Sequence, residues 1–284
     1  MSAQKLVWPA LLLIIAGLGA AAIQTRPDRA ILVATNVVAH NVCAKAFVSG
    51  LDPQTSFTEI TDRDGIRRLR WLLRYSIERT KGLVTASVAG LFASRAAFHE
   101  GFGCVMLLSP EPYLLKVDVA SLKGKEPPLL PDIGGAEIVT PSDPKLQAAL
   151  DHAFEEPAEP PFRRTKAVVV VRDGKVIAER YAQGVGIHTE LPGFSMTKSV
   201  VNALIGVLTQ QGLVTPSLPA AIPEWRGASD PRREIEIEHL MRMTSGLALD
   251  ETNTGFDASS RMYLHNDMAG YANVLHMIKE DHRP

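Results

Sequence analysis

Ser195-Met196-Thr197-Lys198 is the segment of this chain whose residue types and spacing could do covalent chemistry. A serine hydroxyl and a lysine amine three positions apart share one face of a helix, so the amine can reach the hydroxyl. The pair then suits acyl transfer, with Ser195 as nucleophile and Lys198 as the base that takes its proton. The tetrad is weak by itself, because Ser2 to Lys5 and Ser142 to Lys145 satisfy the same pattern. Context separates the three. The first lies in an apolar leader and the second reads as a helix cap. Only the third opens a long apolar helix behind a hairpin and a glycine-containing loop. That helix is expected from about Ser195 to Gln211, with Met196, Val200, Leu204, Val207 and Leu208 facing a core and Gly212 ending it. Burial of this body would desolvate Lys198 toward a useful basicity. Free N–H groups in the first turn would favour an oxyanion. A nucleophile elbow is excluded, since Gly193-Phe194-Ser195-Met196-Thr197 lacks the second glycine.

The elements before the tetrad are β. Ala167 to Val171 reads as a buried strand, Asp173-Gly174 as a two-residue hairpin turn, and Val176 to Tyr181 as the return strand. Upstream, Lys145 to Phe154 has helical spacing between two proline-rich linkers, with Ser142 as its expected cap. Further upstream, β-rich runs such as Leu83 to Gly90 and Gly103 to Leu108 suggest a small meander. The basic stretch Arg67 to Arg74 reads as a solvated face, or as a contact for anionic headgroups if the domain sits near a bilayer.

Leu6 to Ile23 carries no charge. Its length is at the short limit for a spanning helix, while Ala20-Ala21-Ala22 offers a signal-cleavage pattern, so anchor and removed signal both stay open. Either implies export. Cys43 and Cys104 permit one disulfide in an oxidising compartment, the alternative being two separate buried thiols. No His or Cys spacing suggests a metal, no cofactor is indicated, and a net charge of −1 gives no sign of nucleic-acid binding. Nothing in the sequence addresses oligomeric state.

Taken together, Val170 to Gly174, Glu179-Arg180-Tyr181, Phe194 to Ser199, Pro223-Glu224-Trp225 and His239 to Leu247 resemble the β-lactamase-related serine hydrolases. That group holds class C β-lactamases, D-alanyl-D-alanine carboxypeptidases and esterases, and the likeness is nearest to its 6-aminohexanoate-oligomer hydrolase branch. Residues 30–125 also resemble the N-terminal extension of some membrane-anchored members. The resemblance implies an α+β, β-lactamase/DD-peptidase-like fold, an antiparallel sheet packed against helices. It implies a Ser195 acyl-enzyme with Lys198 as base, acting on an amide or ester bond in a small molecule or peptide. The expected organisation is a signal peptide or membrane anchor at 1–24, a β-rich extension and linker at 25–140, and the front of the catalytic domain at 141–284. The domain is expected at the inner membrane, facing the periplasm, or released there. Family members also use a Tyr in Y-x-N and a late K-T-G or H-x-G-like strand. In this chain only Tyr271-Ala272-Asn273 fits the first, inside an amphipathic stretch from Asp267 to Lys279 that makes Tyr271 a core residue. The expectation is therefore a shortened, poorly stable and nearly inactive hydrolase, or else a non-catalytic envelope protein of the same fold.

Overall fold

The computed structural model describes residues 26–108, 134–252 and 254–278. The expected anchor at 1–24 and the end of the expected helix at Lys279 lie outside them.

The first helix, α1 (Pro27–Cys43), starts on a proline and is continued by a π-turn at Ala44–Val48. A second, α2 (Pro53–Thr61), is capped by Asp52, whose carboxylate accepts the Thr55 N–H at 2.6 Å. Both helices depart from the β-rich reading of this stretch. The reason is composition: α1 carries Ile31, Val33, Thr35, Val37, Val38 and Val42, β-branched residues with modest helix propensity. Tertiary packing overrides that preference. Val38, Ala39, Val42 and Cys43 are fully buried against a sheet, in one core with Ile60, Leu73, Val84, Ala86 and Ala96.

That sheet is the expected meander. Strands β1 (Leu73–Glu78), β2 (Leu83–Val88), β3 (Leu91–His99) and β4 (Gly103–Met106) pair antiparallel in chain order. Tight turns at Ala89-Gly90 and Gly101 take positive φ. A disulfide between Cys43 and Cys104 ties the end of α1 to β4. Of the two states the sequence allows for these cysteines, the structure has the bonded one.

Residues from 134 onward form a second region. Helix α3 (Pro144–Phe154) is capped by Asp143, which accepts the Lys145 N–H at 2.9 Å, and not by Ser142. An aspartate directly before Pro144 can fold back on the first turn; Ser142 lies one position too early. Strands β5 (Ala167–Arg172) and β6 (Lys175–Tyr181) form the expected hairpin, with Asp173 and Gly174 at φ 51° and 73°. Helix α4 (Thr197–Gln210) follows a 3-10 turn at Phe194–Met196, and Gly212 ends it at φ 71°. Short helices α5 (Ile237–Met241), α6 (Ala258–Arg261) and α7 (Met268–Asn273) complete the described chain.

Two burial expectations fail in this region. Val169 and Val171 of β5 are each 47% exposed, so that strand is open on one side. Helix α4 has no buried residue, and Val200 and Leu204 are about three-fifths exposed. The spacing does produce an amphipathic helix, but no described element packs over its apolar stripe. The helix expected to Lys279 also stops early, at Asn273. Gly270 and Asn273 weaken it, and the backbone beyond pairs instead with residues 246–248, where Ile278 N–H donates to the Gly246 carbonyl at 2.7 Å.

Polar contacts join the two regions. Glu59 on α2 sits between Lys45 and Lys166, and Asp62 is shared by Arg70 and Arg164. Asn36 donates to the Tyr263 carbonyl at 3.1 Å. Gly255, at φ 83°, lies so near α1 that a Cβ there would stand 3.2 Å from the Ala30 methyl.

Candidate active site

The β5–β6 hairpin and the loop after it deliver the chain to Gly193, and the 3-10 turn then feeds α4. Met196 N–H donates to the Gly193 carbonyl at 2.9 Å, and the Thr197 hydroxyl donates to the Phe194 carbonyl at 2.6 Å. These bonds close the entry turn. Phe194 takes φ 42°, a left-handed conformation costly for a residue with a large side chain. Its backbone bend precedes the serine directly.

One turn on, Lys198 Nζ donates to Ser195 Oγ at 3.0 Å. The two site residues named from the sequence therefore meet in hydrogen-bonding contact. The Ser195 N–H has no backbone acceptor among the described residues, and Ser195 stands in the turn just before a 14-residue helix. A carbonyl oxygen placed there would find one donor and the positive end of the helix.

The electrostatic setting differs from the expectation. Ser195 and Lys198 are both exposed. Desolvation by the α4 stripe is absent, because that stripe is itself open to water.

Sequence reasoning misses the contact in front of the serine. The Arg63 guanidinium lies over the Phe194 ring, 5.3 Å from its centroid. Arg63 follows α2 and belongs to the first region, and no local pattern could link it to residue 194. Beside the hairpin, Tyr181 donates to the Glu179 carboxylate, and Glu179 is buried. This bond to an anion, with added burial, pushes the Tyr181 phenol up to about 12.

Tyr271 lies elsewhere. Its ring stacks on His265 at 4.5 Å, and it lines a groove of about 510 Å³ with Arg26, Arg29 and Ser94. It is half-buried, and neither Ser195 nor Lys198 lines that groove. The remaining motif residues shape the scaffold. Trp225 is buried and donates its indole N–H to the Asn273 carbonyl at 2.8 Å, with Arg232 against its ring. His239 Nδ1 accepts the Glu236 N–H at 3.2 Å and so caps α5. Asp257 is buried and caps α6; burial pushes its carboxyl up, but the Ser260 N–H, the Ser259 and Ser260 hydroxyls and the Thr254 N–H outweigh this and hold it far below the usual carboxylate range. Among the described residues, no three His, Cys, Asp or Glu side chains are grouped to hold a metal.

A family model described as Beta-lactamase matches residues 151–280, a little under half of the chain. No curated protein and no solved structure matches. The matched stretch contains the hairpin, the Ser195–Lys198 pair and the Trp225 and His239 motifs. It supports the β-lactamase-related serine hydrolase family for this region, with an α+β fold, hydrolase chemistry in general and a small-molecule or peptide substrate.

Proposed function

We propose that the chain is a serine hydrolase of the SxxK type, cleaving an amide or ester bond through an acyl-enzyme on Ser195. The observation that carries this reading is the 3.0 Å contact between Lys198 Nζ and Ser195 Oγ at the start of α4. In its free-base form the amine accepts the Ser195 proton as Oγ attacks the substrate carbonyl. Lys198 then gives that proton to the leaving amine or alcohol as the scissile bond breaks. Water attacks the resulting ester, losing a proton to Lys198, and the Ser195 hydroxyl reforms as the acid departs. The Ser195 N–H supplies one oxyanion donor during both attacks.

Covalent labelling tests the reading. A fluorophosphonate or a penicillin should mark the wild-type chain, Ser195→Ala should abolish the mark, and Lys198→Ala should slow it by at least about 100-fold. Equal labelling of Ser195→Ala would remove the proposal. A panel of β-lactam, D-Ala-D-Ala peptide, short ester and 6-aminohexanoate-type amide substrates would then assign the branch.

One observation favours a second reading. Both members of the pair are exposed, so the water-excluded setting that strengthens such chemistry is missing from the described residues. A non-catalytic envelope protein that uses the same fold to bind a cell-wall peptide or a partner would fit that feature. An unlabelled wild-type chain that retains peptide binding would select it.

We also place the chain at the inner membrane, held by the uncharged run Leu6–Ile23, with the hydrolase region on the periplasmic side. The Cys43–Cys104 disulfide supports an oxidising compartment. Helix α1 with its π-turn is also long and apolar enough to cross a bilayer, yet half of it is buried against the protein's own sheet. The preceding run is thus the better anchor.

A further inference from the structure

We infer that one end of the four-stranded sheet is a membrane-contact surface for anionic phospholipid, built from Trp71, Leu91 and Phe92 with a surround of arginines. This rests on the membrane placement proposed above and adds a second, folded contact to it.

Three large apolar side chains stand in water at that end: Trp71 is 72% exposed, Leu91 66% and Phe92 41%. Pairing brings them together. Val88 pairs with both Leu73 and Leu91, and the Ala89 N–H donates to the Leu72 carbonyl at 2.9 Å. Trp71 therefore flanks the β2–β3 turn that carries Leu91 and Phe92. Surface tryptophan beside exposed aliphatic and aromatic side chains suits the headgroup boundary, where one end of the ring is wet and the other apolar.

The direction of α1 places the chain's entry at the same end. Thr35 Oγ1 meets Ser94 Oγ at 2.7 Å, whereas Cys43 is bonded to Cys104 at the far end of β3. Helix α1 thus runs alongside β3 in the same sense, and its first residues lie toward the turn. The groove shared by Arg26, Arg29, Ala93 and Ser94 agrees. Only Gln24 and Thr25 separate Ile23, the last residue of the uncharged run, from Arg26. Three residue steps reach at most about 10 Å. An anchored run holds this end of the sheet, and not the other, close to the bilayer.

Charge complements the lipid. Asp28, Asp62 and Asp64 are matched by Arg26, Arg70 and Arg67. Arg29, Arg68 and Arg74 have no carboxylate partner among the described residues, and Arg74 lies against the Trp71 carbonyl at 3.0 Å. These guanidiniums would meet headgroup phosphates. The opposite end carries Glu78, Arg79 and Lys81 at the β1–β2 turn, with Phe102 of the β3–β4 turn the one large apolar side chain exposed there among the described residues.

Because both native cysteines are bonded, a single added cysteine can be labelled specifically. The full chain carrying Leu91→Cys, with Trp71→Cys as a second exposed position and Arg79→Cys as the far-end control, would receive an environment-sensitive fluorophore. It would then be reconstituted into phosphatidylcholine vesicles with or without phosphatidylglycerol and with spin-labelled lipid. The expected result is a blue shift and severalfold stronger quenching at 91 and 71 than at 79, greater with phosphatidylglycerol and reduced by Arg29→Ser with Arg68→Ser. A chain that floats with the vesicles but shows equal quenching at all three positions overturns the surface alone. Oxidative cross-linking of 91 to 91 in place of quenching assigns the surface to a second copy and also overturns it. A chain that does not float overturns the anchor and this surface together.

Discussion

Residues 26–108 and residues 134–278 solve the problem of burial in different ways. In the first region a helix packs on a sheet of four paired strands, and Val38, Val42, Leu73, Val84 and Ala96 are at or near zero exposure. In the second, the buried apolar set shrinks to Leu150, Ala178, Trp225 and Ile235, joined by Glu179, Asp257 and Ser260. The first region is held by apolar contact, the second by hydrogen-bonded carboxylates and by its docking on α1 and α2. Apolar side chains are not scarce in the second region; they lie on α4 and β5, facing water. A site-bearing region of this kind is the easier part to open, while the first region acts as its support.

The largest effect that would test this contrast is on the disulfide. It closes a loop with a sequence separation of 61 residues, and chain entropy alone makes such a cross-link worth about 4 kcal/mol. Cys43→Ser with Cys104→Ser should lower the stability of residues 26–108 by that order, read as lost amide-exchange protection along α1 and β4. An unchanged protection pattern would mean that the apolar core suffices without it.

A matched pair of truncations comes next. Leu73→Ala removes a side chain only 1% exposed and should cost about 3 kcal/mol in denaturant unfolding. Leu204→Ala on α4, where the residue is 58% exposed, should cost under about 0.5 kcal/mol. If the two costs came out alike, the α4 stripe would be covered in solution and the contrast between the regions would fail.

Acid should expose the polar character of the second region. Asp257 is charged and hydrogen-bonded when folded, so its carboxyl titrates lower in the folded chain than in the unfolded one. Its contribution is fully present above the unfolded carboxylate value, near about 4, and fades as pH falls from there toward the folded value. Asp257→Asn should cost about 1–2 kcal/mol at neutral pH and flatten the loss of stability below about pH 4. Hydrogen exchange in residues 250–264 would report it. A variant with the same acid slope as wild type would place the acid sensitivity elsewhere.

The sequence carries the local pieces well and the long-range ones poorly. Asp173-Gly174 announces its hairpin, and the three-residue spacing of Ser195 and Lys198 announces their contact, because both depend on geometry within a few residues. The α1 helix is hidden by its valines, whose preference for strands is overturned only by a sheet formed 30 or more residues later. Exposure of α4 is equally illegible: an apolar stripe states what a helix could bury, and the neighbours decide whether it does. Arg63 over Phe194 and Tyr271 on His265 belong to the same class, contacts made by the fold between residues with no common pattern.

The smallest expected effect probes a single bond beside the candidate site. Tyr181 gives its proton to a hydrogen bond with buried Glu179, and Glu179 also accepts the Val139 N–H at 3.3 Å while its own N–H donates to the Val139 carbonyl. The phenol is therefore raised to about 12, and the stability it lends is complete below the ordinary phenol value and disappears as pH climbs from about 10 through about 12. Tyr181→Phe should cost about 1 kcal/mol at neutral pH, leaving the carboxylate with one donor fewer. It should also remove one late-titrating phenol from the ultraviolet titration of the folded chain. Because β6 leads into the loop that delivers Ser195, labelling of that serine should slow only slightly. A loss of labelling as large as that of Lys198→Ala would instead put the hairpin's polar pair inside the catalytic machinery, and the second region's carboxylates could no longer be regarded as support alone.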